Sequence, residues 1–202
     1  GAPYTADELK AQYKKLACEE ITITKERISP EYANGLLEDE EIEILLEKVF
    51  ERLFLQKGMA MDETQLRQIG IVFRSLSLEY IKLFEGVPEL LTRLKNNGKK
   101  IFLLSNAQRM FTEPEMRMLN IYESFDGILY SSDAGVKKPS FHFYDTLFKK
   151  YHLKKEESVM VGNEYRADIY GEDCYGIDSM YIFTEQSGEE ALKLPDSCRR
   201  LE

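Results

Sequence analysis

No stretch of this 202-residue chain approaches the roughly 20 consecutive apolar residues of a membrane span, and no signal-peptide pattern opens it. Basic charge is short. The 27 Lys and Arg against 36 Asp and Glu leave a net charge of −9, which argues against a dedicated nucleic-acid binder and leaves room only for a local basic pocket. Cysteine is scarce too: Cys18, Cys174 and Cys198 are odd in number, widely spaced and without a CxxC pair. That usage suits a reducing compartment, hence a cytoplasmic protein, and offers no zinc site. His142 and His152 have no ligand-like spacing with those cysteines. Internal repeats and low-complexity tracts are absent. What is present is an ordinary globular composition, 43% hydrophobic and 31% charged, on a chain long enough for a real core.

The chain starts Gly1-Ala2-Pro3-Tyr4 with no initiating methionine, so it is expected to be a fragment, and Leu201-Glu202 is expected to be a cloning scar outside the fold. Thr5 and Glu8 form a capping-box pattern, after which Leu9, Tyr13 and Leu16 predict a helix to about Glu19. A second helical region is expected from Ser29-Pro30. The acidic run 38–41 reads as the first turn of a helix whose broad apolar face carries Ile42, Leu45, Leu46, Val49, Phe50, Leu53 and Phe54. Asp62 and Gln65 open another helix, expected to run through Ile81. Gly86 and Pro88 then interrupt the pattern. The domain organisation read from this is a helical domain over 1–79 and an α/β domain over 80–202.

Beyond that break, helices and strands alternate. Helices are expected over 88–97 (closed by Gly98), 114–119, 140–151 and 166–175 (ended by Gly176), and strands over 101–104, 127–130, 158–161 and 180–183. Alternation of this kind implies right-handed crossovers and a parallel sheet, the α/β class. The polar segment after Thr184 is expected to be peripheral.

Three strand-to-helix junctions present polar groups at the carboxyl edge where open α/β sheets bind ligands. Ser105-Asn106 supplies a hydroxyl and backbone N–H groups for an anion; alone, it reads more readily as a cap of the following segment. Lys138, fixed in extended backbone by Pro139, can project an ammonium, with Ser140 capping the next helix; alone, Lys137 and Lys138 read equally well as solvated surface lysines. Gly162-Asn163-Glu164 with Asp168 supplies an amide and two carboxylates, hard oxygen donors that suit Mg²⁺; alone, the acids read equally well as complements of a helix dipole.

In this order, the three junctions resemble the haloacid dehalogenase-like (HAD) superfamily. Leu103-Leu104-Ser105-Asn106 resembles its second motif, which binds the phosphoryl group. Val136-Lys137-Lys138-Pro139 resembles the third, whose lysine neutralises nucleophile and phosphate. Val161-Gly162-Asn163 with Asp168 resembles the fourth, which holds Mg²⁺. The resemblance implies a HAD-like parallel-sheet core with an all-helical cap. Its implied site is Ser105, Asn106 and Lys138 as catalytic residues and Asn163, Glu164 and Asp168 at the metal. The family's first motif, Asp-x-Asp on a central first strand, has no counterpart: Asp126-Gly127 follows the second motif and reads as a strand start. Asn163 stands where the family usually has an aspartate, which weakens that metal ligand.

The resemblance implies a Mg²⁺-dependent phosphatase of a small phosphorylated metabolite, acting through an aspartyl-phosphate. The chain alone is expected to be inactive for want of the nucleophile. A companion N-terminal fragment supplying the first strand is one expected partner, because the loss of a central strand leaves two unpaired inner edges. Nucleic-acid and membrane partners are not expected. The competing readings are a metal-independent 2-haloacid dehalogenase, which Ser105-Asn106 permits, and a non-catalytic binding protein on the same scaffold.

Overall fold

In the computed structural model, residues 3–28, 39–170, 175–184 and 198–201 are described. They form two compact units, Gly1–Gly35 with Ile42–Gly135, and Leu36–Glu41 with Val136–Glu202. The helical region expected from Ser29-Pro30 lies outside the described residues.

The first unit opens with α1 (Ala6–Ile28), for which the Thr5/Glu8 box forms as expected: Thr5 N donates to Glu8 Oε2 at 2.8 Å and Glu8 N to Thr5 Oγ1 at 3.3 Å. The helix runs nine residues beyond the expected end at Glu19. Its β-branched stretch Ile21–Thr24 has weak helix propensity, yet Glu20, Thr24 and Ile28 fall on one face and are buried, so packing overrides propensity. α2 (Leu46–Leu55) starts later than the acidic run suggests, after a single 3-10 turn at Asp39–Glu41. α3 (Glu63–Ser77) carries the expected Asp62/Gln65 capping box but ends four residues short of Ile81. α4 (Val87–Asn96) follows. Leu16, Val49, Phe50, Leu53 and Leu66 form one buried cluster with Met110, each side chain contributing roughly 1.5–3 kcal/mol.

β1 (Phe102–Ser105) and β2 (Gly127–Tyr130) pair in parallel, Ser105 opposite Tyr130, close to the expected bounds. Asp126 is structural, as expected: its Oδ2 accepts from Ile101 N at 2.8 Å, and that bond holds its carboxyl below the ordinary range. Between the strands, α5 (Arg109–Met118) begins five residues before the expected start at Pro114, which sits inside the helix. The last helical turn of this unit is α6 (Ser131–Ala134), closed by Gly135 at φ 76°. A side chain at Gly135 would press on Thr24 and Ile28 of α1.

The second unit contains α7 (Phe141–Tyr151), β3 (Val159–Gly162), β4 (Asp178–Ile182) and β5 (Cys198–Leu201). The three strands form a parallel ladder in the order β3-β4-β5. Two expectations are corrected here. The tail after Thr184 is not wholly peripheral, since β5 pairs with β4 and includes Leu201. The helix expected over 166–175 is replaced at its start by one wide π-type turn, Tyr165–Tyr170; residues 171–174 lie outside the described ones.

Glu47, in the first turn of α2, has a buried Oε2 without a hydrogen-bond partner. Burial pushes its carboxyl above the ordinary 4.5, against the pull of its own backbone N–H. A raised carboxyl favours the fold when protonated, so its contribution is full below the ordinary value and is lost as pH rises through the folded one. Glu47→Gln should therefore raise the melting temperature at pH 7 by about 2 °C, allowing for partial solvent screening, and leave it unchanged near pH 4. Equal shifts at both pH values would contradict this.

Candidate functional site

The carboxyl edge of the β1–β2 ladder carries Ser105, half-buried, and Asn106, exposed. Parallel pairing brings the residues after β2 to the same edge. There Ser131 and Ser132, both buried, receive the N–H groups that follow β1: Ala107 N donates to Ser131 Oγ at 2.9 Å and Arg109 N to Ser132 Oγ at 3.0 Å. The Ser132 hydroxyl thus caps α5, whose own N-cap residue, Gln108, makes no side-chain cap bond. Arg109 is held by a two-point pair with Asp133, at 2.8 and 2.5 Å, and by Glu113 at 3.1 Å. Hydrogen bonds to Asp133, above all, hold its guanidinium further into the charged state.

The carboxyl edge of β3 carries the second group. Lys138 Nζ lies 2.5 Å from Asp168 Oδ1, with the side chains only 10% and 8% exposed. The other oxygen, Oδ2, accepts from Asn163 N at 3.1 Å and Glu164 N at 3.0 Å. Asp168 N also donates to Glu164 O at 2.8 Å, an ordinary helical-spacing bond that helps hold the carboxylate over the strand end. Gly162 permits the approach, because a Cβ there would overlap the Asp168 carboxylate. From α7, the buried Tyr144 donates its hydroxyl to Ala167 O at 2.6 Å and fixes the turn from behind. Ser140, expected to cap α7, makes no cap bond, and its Oγ is buried without a partner.

The fold therefore brings together Lys138, Asp168 and the backbone of Asn163 and Glu164 at the β3 edge, while Ser105 and Asn106 belong to the other compact unit. As a Mg²⁺ donor set, the β3 edge is sparse. Among the described residues no three His, Cys, Asp or Glu side chains gather into a metal cluster. Asp168 has three of its roughly four acceptor positions filled. Asn163 turns Nδ2 towards Thr184 Oγ1 at 3.4 Å, which leaves its carbonyl oxygen as a donor, and Glu164 is exposed. Few protein oxygens beside open solvent fit the ion that keeps several waters and takes one or two protein ligands.

Sequence reasoning missed Ser131, Ser132, Gln108, Glu43 and Tyr144. Two serines directly after the apolar run Gly127–Tyr130 were the available signal for the first pair; nothing local marked the others.

Residues 19–182 match the family model described as haloacid dehalogenase-like hydrolase. The chain is similar to a glyceraldehyde 3-phosphate phosphatase of Methanothermobacter thermautotrophicus, at 25% identity over 59% of this chain and 53% of that protein. It is similar to a ribulose-1,5-bisphosphate 5-phosphatase of Halopiger xanaduensis at 24% identity over 63% and 53%. The chain spans about half the length of the curated relatives it matches. Among solved structures, a 2-haloacid dehalogenase from Pseudomonas syringae superposes with a TM-score of 0.61 at 16% identity, covering 98% of this chain and 77% of that one. A HAD-hydrolase from Bacillus subtilis bound to magnesium gives 0.55 at 20% identity, covering 98% and 80%. At these identities the likeness concerns the fold.

Proposed function

This chain belongs to the haloacid dehalogenase-like hydrolases, and on that footing we propose that it serves a Mg²⁺-dependent phosphatase of a small phosphorylated metabolite. The observation that carries the reading is the buried Lys138–Asp168 pair at the end of β3. A cation held rigidly at a strand end stabilises charge on a transferring phosphoryl group without reorganising as the charge develops. The names of the relatives support the phosphate-ester class.

In this reading Ser105 donates its hydroxyl, and the Asn106 turn its N–H, to a phosphoryl oxygen. Lys138 offsets negative charge, and Asp168 fixes the direction of the Lys138 ammonium. Asn163 and Glu164 would hold Mg²⁺, with Asp168 contributing its remaining acceptor position. When bound, the ion supplies Lewis-acid polarisation of the phosphoryl oxygens. Residues 1–79 act as a helical cap and 80–202 as the core. The attacking carboxylate is not among these residues, since no Asp-x-Asp occurs anywhere in the sequence.

We propose further that a companion strand pairs with the chain. Among the described residues β1 pairs only with β2 and β3 only with β4, while Val159 and Val161 of β3 are exposed. Such an edge is ready to take another strand.

The test is phosphate release from a panel of small phosphoesters with Mg²⁺. The chain alone should release none, and the chain joined to a segment bearing Asp-x-Asp should release phosphate. Failure of the joined protein on every ester would end the phosphatase reading, and chloride release from 2-haloacids without metal would favour a dehalogenase. Asn163→Asp should tighten apparent Mg²⁺ affinity about tenfold, as read by titration calorimetry. An unchanged affinity would remove position 163 from the metal shell.

A further inference from the structure

The turn after Ser105 is held by groups that the proposed chemistry does not use. Ser131 Oγ accepts from Ala107 N at 2.9 Å and lies 3.0 Å from Glu43 Oε2 and 3.3 Å from Ala107 O. A hydroxyl has one hydrogen, and the nearer, charged acceptor takes it, so the proton of Ser131 points at Glu43. That commitment leaves the oxygen's lone pairs facing the Ala107 N–H. Glu43 Oε1 in turn accepts from Gln108 Nε2 at 2.8 Å.

Gln108 uses its whole carboxamide on the same segment. Its second Nε2 hydrogen goes to Ile44 O at 2.8 Å, and its Oε1 accepts from Leu46 N at 3.2 Å. Leu46 opens α2, and the residue before it, Leu45, has no side chain able to cap. The first N–H of α2 is therefore satisfied by a residue 62 positions away, two residues beyond Asn106. A further backbone bond, Glu43 N to Gly135 O at 3.0 Å, pins the segment to the end of α6.

We propose that Glu43 is a positioning residue for the turn at Ser105, Asn106 and Ala107. Acting through Ser131 and Gln108, it fixes the chain path after Ser105 and couples that path to the docking of residues 43–46. The inference rests on the reading of Ser105 as a phosphoryl-binding hydroxyl and adds to it a control point on the helical side. The coupling is reciprocal: a phosphate at the turn tightens the 43–46 segment by the factor by which that segment tightens phosphate.

The experiment is hydrogen exchange at single amides of the 202-residue chain by NMR, with and without inorganic phosphate, beside a phosphate titration. Glu43→Ala should speed exchange at Ala107 and Leu46 about tenfold and weaken phosphate binding about tenfold, while Arg109, held by Ser132, is unmoved. Phosphate should slow exchange at Leu46 in the wild type and not in Glu43→Ala, a response that a merely structural role would not give. Glu43→Gln, which keeps size and one acceptor, should recover part of each effect and serves if the alanine variant folds poorly. Phosphate binding that ignores both Glu43 variants overturns this inference alone. A wild-type chain that binds no phosphate, with Ala107 still responding to Glu43→Ala, overturns the phosphoryl reading of the turn and with it the functional half of the inference.

Discussion

Lys138→Ala should destabilise the protein by about 3 kcal/mol, well beyond the cost of trimming a surface lysine. The substitution leaves Asp168 with a buried charge whose ammonium partner, 2.5 Å away, is gone. Two backbone N–H groups remain on Oδ2, but they do not supply a compensating charge. Lys138→Met combined with Asp168→Leu should melt above Lys138→Ala alone, because replacing both members of a buried pair costs less than orphaning one. Denaturant melts of the single and double variants measure this, and a Lys138→Ala melt equal to wild type would mean the carboxylate is hydrated. In the phosphatase reading the same change should lower kcat about 10³-fold in the protein that bears the nucleophile.

Gly162→Ala should be about as damaging, at roughly 4 kcal/mol, for a steric reason. The new methyl would occupy the space of the Asp168 Cβ and carboxylate, and those atoms lie close to the backbone where they cannot swing aside. Either the wide turn Tyr165–Tyr170 moves, breaking the Tyr144 bond to Ala167 O, or Asp168 leaves Lys138. A Gly162→Ala protein melting within about 2 °C of wild type would show that the turn shifts freely.

Much of the fold was legible because hydrophobic periodicity and capping chemistry are local. The runs at 101–104 and 127–130 become β1 and β2, and the Thr5 and Asp62 boxes form as written. The misreadings share a cause, which is that a distant partner decides the local outcome. Residues 20–28 stay helical because Glu20, Thr24 and Ile28 are buried, not because their propensities favour it. Pro114 lies within α5 because the helix is capped five residues earlier by Ser132. Residues 165–170 form a wide turn because Asp168 must fold back to meet Asn163 and Glu164 N–H groups.

For the candidate site, sequence order alone indicated Lys138 and Asp168, and the structure pairs them. Their burial was not legible, since two lysines before a proline look equally suited to solvent. The groups that hold the Ser105 turn were hidden for another reason. Ser131 and Ser132 reach it only because β1 and β2 run parallel in one register, a fact of pairing and not of composition. Gln108 looks like any polar residue after a strand until Leu46 arrives without a cap of its own.

The bonds that tie residues 101–109 to 126–133 have a kinetic consequence. Asp126 N to Ile101 O, Ile101 N to Asp126, Ala107 N to Ser131, Arg109 N to Ser132 and the Arg109–Asp133 pair all join residues 23 to 25 apart. Closing loops of that size costs little chain entropy, and each contact shortens the path to the next. The bond from Gln108 to Leu46 must close 62 residues, and it needs the turn already built. The β1–α5–β2 segment is thus the part of its unit suited to form first during folding, with fractional φ-values near one at Ser131 and near zero at Leu46.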